Sequence, residues 1–188
     1  MRSVVRWRDW DGEGLEHCVC REEGEGLTLE GVVVTTREGR HGGHYRVRTD
    51  AAFRTREVRV DIVGGPSLHV EADDDGHWRD VLGNRPLPAL KGCADVDIRI
   101  TPATNTLPIK RLKLLHQENR DIAVAYVPLP DPIDGDWLPR RVEQRYTCLM
   151  PDRRYRYEGL ASGFTADLEV DEAGLVLDYP GVFRRVSA

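Results

Sequence analysis

The segment Glu57-Val58-Arg59-Val60-Asp61-Ile62 decides the fold class: every second residue is β-branched and apolar, and its neighbours are charged. Successive side chains of an extended chain point to opposite faces, so a period of two gives one face to a core and the other to water. Val96-Asp97-Ile98-Arg99-Ile100 repeats the pattern. So do Leu27-Thr28-Leu29-Glu30 running into Val32-Val33-Val34, Tyr45-Arg46-Val47-Arg48, Leu68-His69-Val70-Glu71, Phe164 to Val170 and Leu175 to Tyr179. Asp73-Asp74-Asp75-Gly76 precedes a strand containing Trp78, and an Asp-Gly pair supplies the positive φ angles of a tight hairpin. Glu172-Ala173-Gly174 takes the same part between Val170 and Leu175. Consecutive strands are therefore expected to be antiparallel neighbours.

Eighteen Gly and eleven Pro leave few windows long enough for a helix. Ile109 to Val127 is free of both, and Ile109, Leu112 and Leu115 have helical spacing. Helix and strand both remain open there. The proline-rich stretch from Pro128 to Gly135 reads as an exposed loop. At 188 residues the chain is of the size of one domain spanning 1–188. About 11 to 15 short strands cannot stay in one flat sheet, which predicts a barrel, half-barrel, roll or sandwich.

A net charge of −5 and a pI near 5.7 give little drive for counterion release, which argues against nucleic acid as the partner. The longest apolar stretches, Gly31–Val34 and Ile122–Val127, fall far short of the ~18 residues of a spanning helix. Charges occupy the first residues, Met1-Arg2-Ser3-Val4-Val5-Arg6-Trp7-Arg8, where a signal peptide carries its apolar segment, so a cytoplasmic address is expected. Cys18, Cys20, Cys93 and Cys148 are then free thiols. With the scattered histidines they form no spacing known for zinc. No nucleophile elbow, phosphate loop or zinc helix occurs in the sequence, and neither a metal nor a cofactor is expected.

The densest polar run extends from Gly92 to Arg111. Asp95 and Asp97 share one face of a strand, as an acid/base pair, half a metal site or a solvated stripe. Thr104-Asn105-Thr106 followed by Arg111 reads either as a structured turn or as a set of hydroxyl, amide and guanidinium groups offered to a sugar or phosphate. Towards the C-terminus, Tyr146, Tyr155 and Tyr157 stand beside arginines, and Tyr179 and Phe183-Arg184-Arg185 follow. Such rings either line a concave surface or pack across strands.

Several of these pieces together resemble the bacterial family of putative glycolipid-binding proteins. They are Glu16-His17, Tyr45 to Asp50, Gly76-His77-Trp78-Arg79-Asp80, the run from Gly92 through Thr104-Asn105-Thr106-Leu107-Pro108-Ile109, Ala125 to Pro130, Gln144-Arg145-Tyr146-Thr147, Tyr155-Arg156-Tyr157-Glu158 and Gly174 to Pro180. The resemblance implies a single large antiparallel sheet curled into an open or spiral β-roll or half-barrel, with little helix and a concave apolar face. It also turns Ile109–Val127 towards strand. The first functional expectation is a non-catalytic binding protein for an amphipathic ligand, a glycolipid or other acyl lipid. Inward apolar residues of the curled sheet would hold the acyl part, Trp78, Tyr146 and Tyr157 the border, and Asp97, Thr104, Asn105 and Arg111 the head group. The alternative is a small enzyme using Asp95, Asp97, Glu16, His17 and Glu158 as acid–base groups. A subunit of a larger assembly, marked by an exposed apolar sheet face, is the third.

Overall fold

Alternation builds the larger sheet. β1 (Arg2–Asp9), β2 (Leu15–Glu23), β3 (Gly26–Thr35), β4 (His41–Thr49), β5 (Thr55–Ile62), β6 (Ser67–Ala72), β7 (Trp78–Asp80) and β8 (Arg85–Pro86) run as an antiparallel meander. The computed structural model describes residues 1–36, 39–130 and 137–186. In β5, Val58, Val60 and Ile62 are buried while Arg59 and Asp61 are exposed, as the period of two predicts. The predicted turn at Asp73–Gly76 joins antiparallel β6 and β7, with Gly76 at φ +77°.

The chain is all-β with little helix. Its strands divide over two sheets, where the sequence suggested one. The second holds β9 (Asp95–Ile98), β10 (Asn119–Val127), β11 (Arg140–Met150), β12 (Arg154–Gly159) and β13 (Phe164–Glu169), in the order β13-β12-β11-β10-β9. β9 and β10 are parallel, a pairing that requires a crossover. The crossover is a 3-10 turn at Ala103–Asn105 followed by α1 (Thr106–Leu112). The helix buries Leu107 and Ile109 and stops where Lys113 turns left-handed at φ +48°. The window Ile109–Val127 is thus helix at its start and strand at its end, and Leu115 is exposed outside both. Of the proline-rich stretch, Leu129 and Pro130 are buried, contrary to an exposed loop; Asp131 to Gly135 lie outside the described residues.

The chain then returns to the first sheet. β15 (Phe183–Arg185) pairs with β1, Trp7 opposite Arg185, and β14 (Asp178–Tyr179) lies beyond it, giving ten strands. The predicted turn at Glu172–Gly174 carries the Val170–Val176 bridge, with Leu177 N–H donating to Glu169 at 2.7 Å, and so joins the end of β13 to the approach to β14.

The buried apolar side chains form one cluster that both sheets share. Trp7, Leu27, Leu29, Tyr45, Val47 and Val58, all inward on the ten-stranded sheet, are at most 1% exposed. The concave face is therefore filled by the protein itself. Trp7 and Trp78 satisfy their ring N–H groups on the carbonyls of Val176 (2.8 Å) and Cys93 (3.0 Å). All four cysteines are free and buried, and burial pushes the Cys20 thiol up to about 11. Among the described residues no helix is long and apolar enough to cross a membrane. On the outer face Leu15 and Val34 are opposite one another and exposed, as are Val32 and Val63.

The β4–β5 turn depends on Asp50. Its Oδ1 accepts the N–H groups of Ala52 and Arg54, both at 2.9 Å, and its Oδ2 accepts Arg56 Nε at 3.0 Å. Asp50→Ala is expected to cost about 2 kcal/mol, as several net hydrogen bonds are lost together. The check is a lower urea midpoint at constant m-value; an unmoved midpoint would mean that water replaces these bonds without loss.

Candidate functional site

A cavity of about 540 Å³ opens between the five-stranded sheet and the β14–β15 hairpin. Asp97 and Ile98 of β9, Tyr126 of β10, Val142 and Gln144 of β11 and Tyr157 of β12 form one side; Tyr179, Val182 and Phe183 face them. Alternation on β11 makes this possible, because residues 142, 144 and 146 share the inward face. The first residue of β13, Phe164, joins them, and the crossover after β9 adds Thr101 and Asn105.

Aromatic rings from both sides of the cavity meet. Tyr157 packs against Tyr146 at 5.6 Å between ring centres, Tyr179 at 6.1 Å and Phe164 at 6.2 Å. The first two are edge-on, the geometry that ring quadrupoles favour. Burial, with Asp97 nearby, holds the Tyr157 phenol well above its usual range, so it stays a neutral hydroxyl at ordinary pH. The polar groups form a set of hydrogen-bonded pairs. Gln144 Nε2 donates to Asp97 Oδ2 at 2.7 Å. Tyr146 donates its hydroxyl to Asn105 Oδ1 at 2.8 Å, while Asn105 Nδ2 donates to Pro102 O at 3.0 Å. Nearer solvent, Arg99 donates to the Tyr126 hydroxyl at 2.9 Å and Arg140 stacks over the Tyr126 ring at 5.2 Å.

Behind Thr101 lies a buried acid. Thr101 Oγ1 donates to Glu16 Oε1 at 2.7 Å, and the Tyr45 hydroxyl donates to the same oxygen at 2.5 Å. Tyr45 reaches it because its cross-strand neighbour is Gly31, where a Cβ would lie 2.5 Å from the tyrosine ring. Burial raises the Glu16 carboxyl to about 8, more than the two hydrogen bonds lower it. Glu16 Oε2 is buried without a hydrogen-bond partner.

The structure therefore brings Asp97, Asn105 and Tyr157 to the cavity, with Tyr146 directly behind Asn105 and Tyr157. Trp78 lies in the core with its N–H on Cys93, and Thr104 uses its Oγ1 to accept the Ile98 N–H at 3.3 Å. Arg111 does not line the cavity: its Nε and a terminal nitrogen hold the buried Asp95 at 3.1 and 2.6 Å. Of the five acid–base groups, Asp97 alone lines the cavity. Asp95 is bound by Arg111, Glu16 sits behind Thr101, His17 is exposed on the alternate face of β2, and Glu158 is not among the lining residues. Thr101, Tyr126, Arg140 and Phe164 were not read from the sequence as site residues. Gln144 had a signal, a polar residue two positions before Tyr146 on an alternating strand.

Among the described residues, Glu57, His69 and Glu71 bring potential metal-ligand atoms within 4.8 Å of one another, away from the cavity on β5 and β6. Arg59 already holds Glu57 Oε1 at 2.7 Å, which sets a guanidinium where a cation would bind.

The comparisons agree with this architecture. A crystal structure of a DUF1089 family protein from Pseudomonas aeruginosa superposes with a TM-score of 0.76 at 38% identity, over 93% of each chain. A β-barrel-like protein of the domain of unknown function DUF1849 from Brucella abortus shares the fold, at a TM-score of 0.53 and 10% identity, over 98% of this chain and 93% of that one. No curated protein matches the chain. One family model, described as Putative glycolipid-binding, matches residues 4–185. That match runs from β1 to β15 and takes in both sheets and every residue of the cavity, and the chain belongs to this family.

Proposed function

We propose that the protein is a non-catalytic binder of an amphipathic ligand, a glycolipid, held in the cavity between the five-stranded sheet and the β14–β15 hairpin. The observation that carries this reading is the lining itself: aromatic rings interspersed with hydrogen-bonding groups, in a volume within the range of small-molecule sites. The family description points to the same ligand class. The concave face of the larger sheet does not serve, because its own side chains fill it.

Native mass spectrometry of the purified protein, followed by organic extraction, tests the proposal together with melting in the presence of a glycolipid panel. Ligand at about one hundred times its Kd adds about 2.7 kcal/mol, which for a chain of this size is a rise of about 5–10 °C in Tm. No co-purifying lipid and no shift across glycolipids and acyl ligands would show the reading to be wrong.

A further inference from the structure

Most hydrogen bonds of the cavity lining are taken up within the protein. Thr101 donates to Glu16, Gln144 to Asp97, Tyr146 to Asn105, Arg99 to the Tyr126 hydroxyl and Arg141 to Glu143. Arg140 stands exposed, with water for its guanidinium. The Tyr157 hydroxyl differs: it lines the cavity on a half-buried side chain, and among the described residues it has no hydrogen-bond partner. The ring that carries it is nevertheless fixed, by Tyr146, Tyr179 and Phe164 at 5.6, 6.1 and 6.2 Å between centres. A hydroxyl held in place with its bonding capacity unused is preorganised for a partner from outside.

The ground beside that hydroxyl is kept clear. Gly159, opposite Gln144 in the β11–β12 register, lines the cavity and is not among the glycines with positive φ, so backbone conformation does not call for glycine there. Space does: a Cβ at this position would lie 3.4 Å from the Tyr157 hydroxyl oxygen and 2.6 Å from Ser162 Oγ. We propose, resting on the binding reading above, that the Tyr157 hydroxyl is the group that hydrogen-bonds the ligand and that Gly159 is the position that admits a ligand oxygen to it. A hydrocarbon chain laid over this point would take water from the phenol and return no hydrogen bond, at a cost in free energy. An oxygen with lone pairs, flanked by C–H surface for the rings of Tyr179 and Phe164, satisfies both the hydroxyl and the rings, and a sugar's hydroxyl, ring and glycosidic oxygens have that form.

Isothermal titration of the intact protein and its variants tests this with octyl glycosides of glucose, galactose, mannose and N-acetylglucosamine, each below micelle formation. At least one glycoside is expected to bind, and Tyr157→Phe to bind it about five- to tenfold more weakly, the loss of one hydrogen bond. The Tm of this variant should be unchanged, because no bond within the fold is broken. Native mass spectrometry reads the same comparison on co-purified lipid, as a lower occupancy of the variant. Gly159→Ala combined with Ser162→Ala, which removes the oxygen that the new Cβ would meet, is expected to keep a native circular dichroism spectrum and weaken binding about tenfold or more. Equal affinity of Tyr157→Phe and the parent, or a clear fall in its Tm, would overturn the anchoring role of the hydroxyl and leave glycolipid binding standing. Unchanged affinity in the Gly159 variant would overturn the part given to that position. Failure of every glycoside together with absence of co-purifying lipid would overturn the binding reading as well.

Discussion

Glu16→Gln is expected to stabilise the protein by about 3 kcal/mol at pH 7, the equivalent of holding a proton ~2.5 pH units above the ordinary carboxyl value. Glu16 lies between Trp7 on β1 and Val33 on β3, 2% exposed, and burial is the main cause of its rise from 4.5 to about 8. Asp9 adds to the rise. Arg185 opposes it, but its guanidinium is also bound to Asp171 at 3.1 Å and to Val176 O. A group raised on folding binds more protons in the native state between its two values, so stability is full below pH 4.5 and declines as pH rises towards 8. Above that the loss is complete and constant. Glutamine keeps the oxygen that Tyr45 and Thr101 use and carries no proton to lose. Urea unfolding should show the two proteins within about 1 kcal/mol at pH 5, with the gap widening to pH 8 and then holding. Parallel stability curves across this range would show that Glu16 is ionised without strain.

Arg111→Met is expected to cost about 3–5 kcal/mol at pH 8, the usual penalty for stripping a buried ion of its partner. Asp95 is completely buried on β9, and Arg111 from α1 holds both of its oxygens. Even with this partner, burial keeps the Asp95 carboxyl above its ordinary value, outweighing the guanidinium's pull downward. Without Arg111 the carboxyl takes up a proton more readily, so the loss should shrink towards pH 5. The double variant Asp95→Leu/Arg111→Met should recover most of the stability, because a well-packed apolar pair avoids the desolvation of two charges. A double-mutant cycle in urea measures this. If Arg111→Met alone lies within about 1 kcal/mol of the parent at pH 8, the pair behaves as a solvated surface bridge.

These two sites explain why the polar run from Gly92 to Arg111 was legible as dense chemistry but not as specific chemistry. The segment carries the chain out of β9, through a crossover and into α1, leaving backbone and side-chain polar groups inside the core that need partners. Thr104 serves the Ile98 N–H, Thr101 serves Glu16 and the Ala103 N–H, and Arg111 serves Asp95. Asp97 and Asn105, from the same run, face the cavity instead. Local sequence does not separate the two sets, because the difference lies in what packs opposite them. Individual strands and hairpins were legible, since a period of two and an Asp-Gly turn are local properties. The division into two sheets was not: it depends on β9 choosing β10 as a parallel neighbour and on β15 reaching back to β1, contacts between distant residues. The aromatic lining was partly legible, with Tyr157 read as a border residue, whereas Phe164 opens an alternating strand like any other.

The pairing of β15 with β1 also sets an order of events during synthesis. At ~5–20 residues per second the first strand waits on the order of ten seconds or more for its last partner to leave the ribosome. Until then β1 is an open edge, and the cavity lacks the wall formed by Tyr179, Val182 and Phe183. Capacity to hold a ligand and closure of that edge therefore arrive together, in the same stretch of nascent chain.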